Sequence, residues 1–300
     1  MAVVVGLRFG LLTSRGLDRW HNLQLVKAMR KRGIEPFIFS FGEVVARVGY
    51  RPAVEVRGQP LEGLDAVVVR PVGRGSLEEI VFRMDMLYRL HDLGVVVVNH
   101  PQAIEICVDK YRALFLMEQA GIPVPKTYVT ESVNEALKLL EELGGKCVVK
   151  PIFGSQGRGM VLVEDREVAW MVFNALSYTH HVIYVQEFVP HGQRDIRALV
   201  VGDKVVASMY RVSSGDWRTN IAQGGKPVPC KLPPELEEVA VKAARITRCE
   251  VAGVDILETR DGRYLVSEVN SAPGWRGLQR VTGVNIADVI VSHVASLVKR

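Results

Sequence analysis

Two acidic residues near the end of the chain, Asp255 and Glu268, flank the dipeptide Asp261-Gly262. Asp-Gly between two alternating apolar segments is a strong signal for a β-hairpin with a two-residue type I′ turn. Counting outward from that turn places Leu257 opposite Val266 and Asp255 opposite Glu268 on neighbouring antiparallel strands. The two carboxylates are therefore expected to lie side by side.

This pair of carboxylates needs a compensating charge, because directly opposed like charges are destabilising. Asn270 follows Glu268 by two residues and so lies on the same face of its strand. Two carboxylates and an amide oxygen suit a hard divalent cation such as Mg²⁺. We predict that Asp255, Glu268 and Asn270 bind Mg²⁺. The alternatives are a surface pair relieved by a lysine and a different strand register.

A glycine-rich segment follows a short apolar run that ends at Lys150; it reads Gly154-Ser155-Gln156-Gly157-Arg158-Gly159. Its spacing differs from the P-loop and from the dinucleotide-binding fingerprint, and it joins a strand to a strand rather than to a helix. Glycines still let backbone N–H groups approach phosphate oxygens, and a lysine adds positive charge. We predict a phosphate-binding loop with Lys150 beside it; a flexible hairpin without a ligand is the alternative.

Three arginines, Arg197, Arg211 and Arg218, lie close together in the later part of the chain. A guanidinium group holds phosphate or carboxylate oxygens with two parallel hydrogen bonds. The three side chains are therefore candidates to bind a γ-phosphate or a substrate carboxylate. The alternative for each is a solvated position on a strand edge.

The elements that must position these residues begin with a doubly wound α/β unit. Helix patterns run from Trp20 until Gly33 stops the first one, and from the capping box formed by Ser76 and Glu79 up to Gly94. The predicted strands of this unit are Val3–Val5, Pro36–Phe41, Ala66–Val69 and Val95–Val98. Alternation of this kind is typical of a parallel sheet covered by helices.

After about Ala103 the pattern changes to short strands joined by turns, with helices between some of them. A capped helix is predicted from Ser132 to Gly144. The predicted strands are Cys147–Lys150, Met160–Val163, Ile183–Val189, Ile196–Val201, Val205–Tyr210, Ala252–Glu258 and Tyr264–Val269. The fold class is therefore α/β with an α+β C-terminal part. We predict three units, at residues 1–100, 101–188 and 189–300.

The overall composition is that of a soluble globular protein, with 48% hydrophobic and 24% charged residues. No stretch approaches the roughly 18 apolar residues that a membrane span needs. The mild net charge of +5 favours anionic ligands, and no basic run with interleaved aromatic residues indicates nucleic acid. The four cysteines form no C-x-x-C pair and are predicted to be buried free thiols. We predict a cytoplasmic protein with no membrane or nucleic-acid partner.

With these residues identified, the chain resembles the ATP-grasp superfamily and, within it, the glutamate ligases related to RimK. The resemblance runs from about Asp109 to the C-terminus, and the N-terminal α/β unit is similar to the family's first domain. The motifs that carry it are Asp109-Lys110, Val149-Lys150-Pro151, the Gly154–Gly159 loop, Gln186-Glu187-Phe188-Val189, Asp195-Ile196-Arg197, Arg218-Thr219-Asn220, Asp255 and Glu268-Val269-Asn270. The resemblance implies an ATP-grasp fold in which the nucleotide lies between two α+β subdomains.

The resemblance also implies roles for these residues. Lys110 and Lys150 would contact ATP phosphates beneath the loop of Gly154, Ser155, Gln156 and Gly157. The segment Gln186, Glu187, Phe188 and Val189 would hold the adenine through its backbone, and either Glu187 or Asp195 would bind the ribose. Asp255, Glu268 and Asn270 would ligate Mg²⁺, with Mn²⁺ as a substitute. The remaining set would bind phosphate, the acyl-phosphate or a substrate carboxylate; it comprises Arg197, Arg211, Arg218, Asn220 and Arg276.

The implied reaction is ATP-dependent addition of L-glutamate to an acceptor carboxylate through an acyl-phosphate. Within the family the chain is similar to archaeal enzymes that use a pterin cofactor, tetrahydromethanopterin, as the acceptor. The alternatives are a protein C-terminus, a deazaflavin coenzyme, an amino-group carrier protein, or a nucleotide-binding module without catalysis. A homo-oligomer, dimer or tetramer, is expected.

Overall fold

The computed structural model of this chain describes residues 6–14, 20–154, 156–213 and 215–298. The predicted strand Val3–Val5 lies outside these residues. The N-terminal elements are β1 (Phe9–Leu12), α1 (Trp20–Lys31), β2 (Phe37–Phe39), β3 (Val44–Ala46), β4 (Val54–Val56), β5 (Gln59–Pro60), β6 (Ala66–Val69), α2 (Leu77–Asp92) and β7 (Val96–Val98).

The first sheet is parallel and has the strand order β2-β1-β6-β7. The order reverses at β1, which has β2 on one side and β6 on the other, so the predicted doubly wound arrangement is confirmed. Every residue of β1 and β6 is buried, as expected for strands with both faces covered. Helix α2 begins at the predicted capping box, in which Ser76 and Glu79 exchange two hydrogen bonds.

A small antiparallel sheet of β3, β4 and β5 lies beside this unit and was not predicted from the sequence. Its strands are only two or three residues long. Periodicity cannot distinguish such short strands from loops. Val54 and Val56 nevertheless contribute buried side chains to the core beneath α2.

The central elements are α3 (Pro101–Val108), α4 (Lys110–Gln119), β8 (Thr127–Thr130), α5 (Val133–Glu142), β9 (Cys147–Lys150), β10 (Val161–Val163), α6 (Arg166–Tyr178) and β11 (Ile183–Glu187). The second sheet is antiparallel, with the order β10-β9-β11-β8. Leu137 and Leu140 of α5 and Phe173 of α6 pack in one core with Val149 and Val185 of this sheet. The sheet therefore has one covered face and one face left for the cleft.

The C-terminal elements are β12 (Arg194–Val201), β13 (Lys204–Val212), β14 (Lys226–Pro229), α7 (Pro234–Ile246), β15 (Val251–Glu258), β16 (Tyr264–Asn270), α8 (Arg276–Thr282) and α9 (Ile286–Val298). The third sheet is antiparallel, with the order β14-β13-β12-β15-β16. Ile196, Val254 and Val269 of this sheet share a core with Leu114 of α4 and Leu236 of α7.

The first, second and third sheets each lie within one of the three predicted units. The packing of helices, however, crosses the predicted boundary between residues 101–188 and 189–300. Helices α3 and α4 were assigned to the central unit at residues 101–188, and they pack with the third sheet. Their apolar residues therefore belong to the same core as residues 189–300. The division of the chain into three units stays a prediction.

A further core joins the first sheet to the C-terminal end of the chain. Leu25 and Met29 of α1 pack with Ile290 and Val294 of α9, and Trp275 is fully buried among them. Within the described ranges, no single helix is long and apolar enough to cross a membrane. Helices α8 and α9 reach that length only when taken together across their 109° bend.

The cysteines are all free thiols, as predicted, and Cys107, Cys147 and Cys249 are buried; the prediction of burial is wrong for Cys230, which is only partly buried. Cys107 and Cys249 lie with their sulfur atoms 3.4 Å apart in the core beneath the third sheet. Burial among apolar side chains makes such thiols structural rather than reactive.

Candidate active site

The hairpin of β15 and β16 presents Asp255 directly opposite Glu268, so this predicted pairing is confirmed. The predicted turn, however, is wrong. The backbone N–H of Thr259 donates to the carbonyl of Arg263 at 2.9 Å, so three residues form the loop rather than two. Gly262, the last of the three, has a left-handed φ of +81°, which is typical of three-residue hairpin loops.

A β-bulge restores the predicted pairing of the acids. Near the loop Leu257 faces Leu265, which differs by one residue from the predicted partner Val266. The register then shifts between Asp255 and Ile256, and Ser267 is the extra residue on β16. The two deviations cancel, because the longer loop moves the register by one residue and the bulge moves it back.

Asp255 is buried between two arginines of the neighbouring strands. Its Oδ1 lies 2.7 Å from Nε of Arg197, and its Oδ2 lies 3.0 Å from Nη2 of Arg211. Burial raises the pKa of Asp255, the two arginines lower it, and Asp195 and Glu268 raise it again; the net direction is upward. The carboxylate is therefore held in a position where its charge is only partly compensated.

Arg211 forms a second buried ion pair with Asp195 on the adjacent strand. Nε of Arg211 donates to Oδ1 of Asp195 at 2.8 Å, and Nη2 donates to Oδ2. Although burial lowers the pKa of Arg211, Asp255 and Asp195 raise it, and the net direction is upward. Both carboxylate oxygens of Asp195 are engaged here. Asp195, one of two candidates for binding a ribose, is thus committed to Arg211 in this structure.

The residues predicted to bind a metal fit a hard divalent cation by their donor chemistry. Asn270 pairs with Gly253 and so lies on the same face of the hairpin as Asp255 and Glu268. Nδ2 of Asn270 is a buried atom that makes no hydrogen bond with any described residue, and Oδ1 of Asp255 has only its ion pair with Arg197. The described part of the chain contains no cluster of three or more His, Cys, Asp or Glu side chains suited to a metal. The predicted set is two acids and one amide, and it stays a prediction.

Two lysines lie on the wall that faces the hairpin. Nζ of Lys150, at the end of β9, donates to Oε1 of Gln186 at 2.5 Å. Burial lowers the pKa of Lys150 to about 8, Glu268 and Asp255 raise it, and Lys110 lowers it. Nζ of Lys110, at the start of α4, donates to the carbonyl of Gly154 at 2.8 Å. Lys110 and Lys150 thus lie across the cleft from Asp255 and Glu268 and form no ion pair with these two carboxylates.

The glycine-rich loop crosses the cleft and touches the opposite wall. Gln156 and Gly157 have left-handed φ angles of +65° and +69°. The carbonyl of Gln156 accepts a hydrogen bond from Gln223 Nε2 at 3.1 Å. A Cβ atom on Gly157 would lie 2.5 Å from Oδ1 of Asn220. Glycine is required there both by its backbone angle and by the approach of Asn220. Ser155 lies outside the described residues.

The segment predicted to hold adenine forms another wall of the cleft. Gln186 is buried, and its Nε2 donates to Thr127 Oγ1 at 2.9 Å. Glu187, the other candidate for a ribose, accepts a hydrogen bond from the backbone N–H of Lys126 at 2.8 Å. Phe188 meets the ring of Trp217 edge to face, with centroids 6.4 Å apart. An aromatic wall of this kind suits a planar base.

The cleft encloses about 760 Å³, including the open space at its mouth. It brings together fourteen of the predicted site residues: Lys110, Lys150, Gly154, Gly157, Gln186, Glu187, Phe188, Val189, Asp195, Arg211, Arg218, Asn220, Asp255 and Glu268. These residues come from the second and third sheets and from the loops between them. Residues far apart in the chain therefore share one site.

Four predicted residues do not line the cleft: Gln156, Arg197, Asn270 and Arg276. Arg197 lies behind Asp255, and Arg276 lies over the ring of Trp20, with its Cζ atom 5.9 Å from the centroid. Arg218 does line the cleft, and it is paired with its near neighbour Asp216 at 2.7 Å.

The cleft also contains residues that the sequence analysis missed, among them Trp217, His191 and Arg158. Trp217 immediately precedes Arg218, and an aromatic residue in an otherwise polar loop is a usable signal. Arg158 lies inside the glycine-rich segment. His191 carries no pattern in the sequence that separates it from a surface histidine.

Comparison with known proteins identifies the family of this chain and several of its relatives. The profile of the RimK-like ATP-grasp domain matches residues 107–294. The chain is 37% identical to the tetrahydromethanopterin:alpha-L-glutamate ligase of Methanococcus maripaludis, over 98% of this chain and 99% of that protein. It is 38% identical to the probable alpha-L-glutamate ligase of Pseudomonas aeruginosa, over 94% of this chain and 93% of that protein.

Solved structures share the fold at lower sequence identity. The ATP-grasp ligase PsnB in complex with its minimal precursor has a TM-score of 0.78 and 22% identity, over 96% of this chain and 98% of that one. A RimK-domain ATP-grasp protein from Sphaerobacter thermophilus has a TM-score of 0.74 and 23% identity, over 95% and 98% of the two chains. The likeness in fold extends over nearly the whole molecule.

Proposed function

This chain belongs to the RimK-like ATP-grasp family, and from that premise we propose that it is an ATP-dependent ligase joining L-glutamate to an acceptor carboxylate. We propose a pterin cofactor, tetrahydromethanopterin, as the acceptor, because the related protein of M. maripaludis carries that name over the full length of the match. The observation that carries the proposal is the cleft itself. Lys110 and Lys150 face Asp255 and Glu268 across it.

The reaction must activate a carboxylate, which is a poor electrophile at neutral pH. An oxygen of the acceptor carboxylate attacks the γ-phosphorus of ATP, and the bond to ADP breaks. The amine of glutamate then attacks the acyl carbon, phosphate leaves, and the nitrogen loses a proton as the amide forms. Each step requires positioning and neutralisation of charge more than a protein nucleophile.

The side chains of the cleft are suited to those tasks. Lys110 and Lys150 would bind the phosphates of ATP. Asp255, Glu268 and Asn270 would hold Mg²⁺, or Mn²⁺ in its place, and the ion would neutralise charge on the phosphate oxygens.

The glycine-rich loop would keep water away from the acyl-phosphate, because it already reaches Asn220 and Gln223 on the opposite wall. Arg218 and Asn220 border the same space and would contact the transferred phosphoryl group. Arg197, behind Asp255, and Arg211, which lines the cleft, would keep the carboxylate of Asp255 in place. Arg276 would bind a substrate carboxylate outside the main cleft.

The test is to incubate the protein with ATP, Mg²⁺, L-glutamate and a panel of acceptors that includes tetrahydromethanopterin and a carboxyl-terminal peptide. Mass spectrometry then measures the gain of one glutamyl residue, and ADP release is measured in parallel. We expect one product with the pterin and ADP in equal amount. A product with the peptide alone would reject the pterin acceptor, and no ADP release with any acceptor would reject the ligase.

A pair of lysine variants controls this experiment. Lys150→Met removes a cation that lines the cleft, whereas Lys138→Met removes one that is about two-thirds exposed on α5. Both variants change the net charge equally. We expect loss of turnover by roughly 10²-fold or more only in Lys150→Met, since charge-assisted contacts in a closed site contribute at least a few kcal/mol. Equal loss in both would contradict the assignment of the phosphate site.

Three expectations from the sequence remain predictions beside this function. They are the assembly of the chain into a dimer or tetramer, its location in the cytoplasm, and the choice between Mg²⁺ and Mn²⁺. Sedimentation of the purified protein would test the first. Turnover with each metal chloride after removal of bound metal would test the last.

A further inference from the structure

Arg70 is a buried guanidinium group at the carboxyl end of strand β6. The side chain is 8% exposed, and β6 lies next to β1, where the strand order of the parallel sheet reverses. Crevices at such reversal points, beyond the carboxyl ends of the strands, are the usual ligand-binding places of doubly wound sheets. Arg70 directly follows the apolar run of β6, so its position in the sequence marks it as a charge at a strand end.

The charge of Arg70 has no counter-charge among the described side chains. Its Nη2 donates to the carbonyl of Pro273 at 3.3 Å, and its Cζ lies 4.9 Å from the ring centroid of Trp275. Its Nε is buried and makes no hydrogen bond with the residues that the structure describes. Burial lowers the pKa of Arg70 to about 10, so the group stays protonated near neutral pH. A buried, protonated and unpaired guanidinium is costly unless an anion joins it.

Three other buried N–H groups in the described part of the chain make no hydrogen bond, and one of them belongs to Trp275 beside Arg70. They are Nε1 of Trp275, Nδ2 of Asn270 and Nη1 of Arg197. Nη1 of Arg197 lies against Gly253, and a Cβ atom on that glycine would come within 2.8 Å of Cβ of Pro273. Pro273 thus connects the surroundings of Arg197 to those of Arg70. Native proteins leave few buried donors unsatisfied, so a group of them points to a missing acceptor.

The neighbouring His21 shows the same excess of positive charge. Its Nε2 accepts a hydrogen bond from the backbone N–H of Trp275 at 3.0 Å, which requires a neutral ring. Burial, together with the positive charges of Arg70 and Arg276, lowers the pKa of His21 to about 4. The imidazole therefore contributes no charge of its own, and the two arginines are the cations of this region.

We propose that Arg70, with Trp275 beside it, binds a carboxylate group of a substrate just beyond the metal-side end of strand β16. The loop from Ser271 to Trp275 connects Asn270 to this place, and Asn99 holds the loop by donating from Nδ2 to the carbonyl of Ser271. The subsite lies outside the lining of the main cleft. Identifying the carboxylate rests on the proposed function: it belongs either to glutamate or to the acceptor.

The experiment compares wild-type protein with Arg70→Met, Arg70→Lys and the control Arg89→Met. Arg89 is exposed in the last turn of α2, so its replacement changes the net charge equally. Calorimetry with ADP and Mg²⁺ present measures Kd for L-glutamate and for tetrahydromethanopterin separately. We expect Arg70→Met to weaken one of them by roughly 10²-fold, Arg70→Lys by about tenfold, and Arg89→Met by less than about twofold.

The two sources of the carboxylate give different results. If glutamate supplies it, Arg70→Met raises Kd for glutamate, and one of the two mono-amides of glutamate binds the wild type as poorly as glutamate binds Arg70→Met. If the acceptor supplies it, only Kd for the pterin rises. Kd for ATP stays unchanged in both cases. A folded Arg70→Met variant with all three Kd values unchanged would show that Arg70 only positions the loop, and would overturn the proposal.

A second measurement separates this subsite from the ligase reaction. Glutarate, a plain dicarboxylate, is expected to raise the Tm of wild type and Arg89→Met by more than it raises the Tm of Arg70→Lys at the same concentration. This holds even if no acceptor is turned over, in which case the proposed function fails and the subsite stands. If neither glutarate nor glutamate nor the pterin binds the wild type, the subsite is rejected. Should Arg70→Met not fold, Arg70→Lys and the mono-amides decide the outcome.

Discussion

Replacing Gly157 by alanine tests whether the glycine-rich loop acts by closing onto the opposite wall of the cleft. Gly157 has a φ of +69°, and the position where alanine would place Cβ is 2.5 Å from Oδ1 and 3.2 Å from Cγ of Asn220. Gly159 offers a matched control. Its φ is +75°, but a Cβ there would meet only Pro151, at 3.4 Å or more.

Both substitutions place alanine in a strained backbone conformation, but only Gly157→Ala also creates a clash with Asn220. A non-glycine residue in the left-handed region costs about 1–2 kcal/mol. Alanine at Gly157 must also turn the end of the Asn220 side chain away; because that end is flexible, the cost is that of an off-rotamer side chain, on the order of another 0.5–1.5 kcal/mol. At about 1.4 kcal/mol for each factor of ten, the closed loop is disfavoured roughly 10²-fold in Gly157→Ala and about tenfold in Gly159→Ala.

The assay is ADP release at limiting ATP, which reports kcat/KM for the nucleotide, together with the Tm of each variant. Because the described residues of the loop other than Gly157 are exposed, Tm should change by no more than a few degrees in either variant. We expect kcat/KM to fall at least several-fold further in Gly157→Ala than in Gly159→Ala. Equal losses in the two variants would refute the contact with Asn220 as part of loop closure.

Two further predictions concern the charges that line the cleft. Asp255→Ala leaves two buried arginines without part of their counter-charge, so the free energy of unfolding should fall by about 3–5 kcal/mol in urea titrations, and turnover should be lost. Asp216→Ala, which breaks an ion pair about one-third exposed, should cost about 1 kcal/mol or less. Since burial lowers the pKa of Lys150 to about 8, phosphate binding should be complete below that pH, and kcat/KM for ATP should decline as pH rises through 8. Lys150→Arg should remove this decline, and a wild-type profile that stays flat to about pH 10 would contradict the assignment.

Local features of the molecule could be read from the sequence because each depends on a few neighbouring residues. The capping box of Ser76 and Glu79 and the stop at Gly33 are local hydrogen-bonding and backbone effects, and both are present in the structure. The pairing of Asp255 with Glu268 was also predicted. The turn on which that prediction was based is wrong, however. The predicted pairing is correct only because a β-bulge, which leaves no clear mark in the sequence, shifts the register back by one residue.

Other features depend on packing between distant segments, and the sequence did not reveal them. Helices α3 and α4 have the apolar spacing of any amphipathic helix, which does not say whether the second or the third sheet will cover them. Asp195 was a candidate ligand from its motif, yet its strand partner Arg211 engages both of its carboxylate oxygens. Strand order and cross-strand neighbours decided these cases.

The sequence by itself determined the types of group available for chemistry: lysines at strand and helix ends, a loop of glycines, and a hairpin with two acids and an amide. Turn chemistry and side-chain alternation act over a few residues, so these groups could be predicted without a structure. Only the tertiary structure decided that Lys150 and Asp255 face one cleft, and that Arg70 is buried with no counter-charge among the described side chains. Such relations arise because burying apolar faces brings separate sheets together, and the polar groups then meet whatever the packing places beside them.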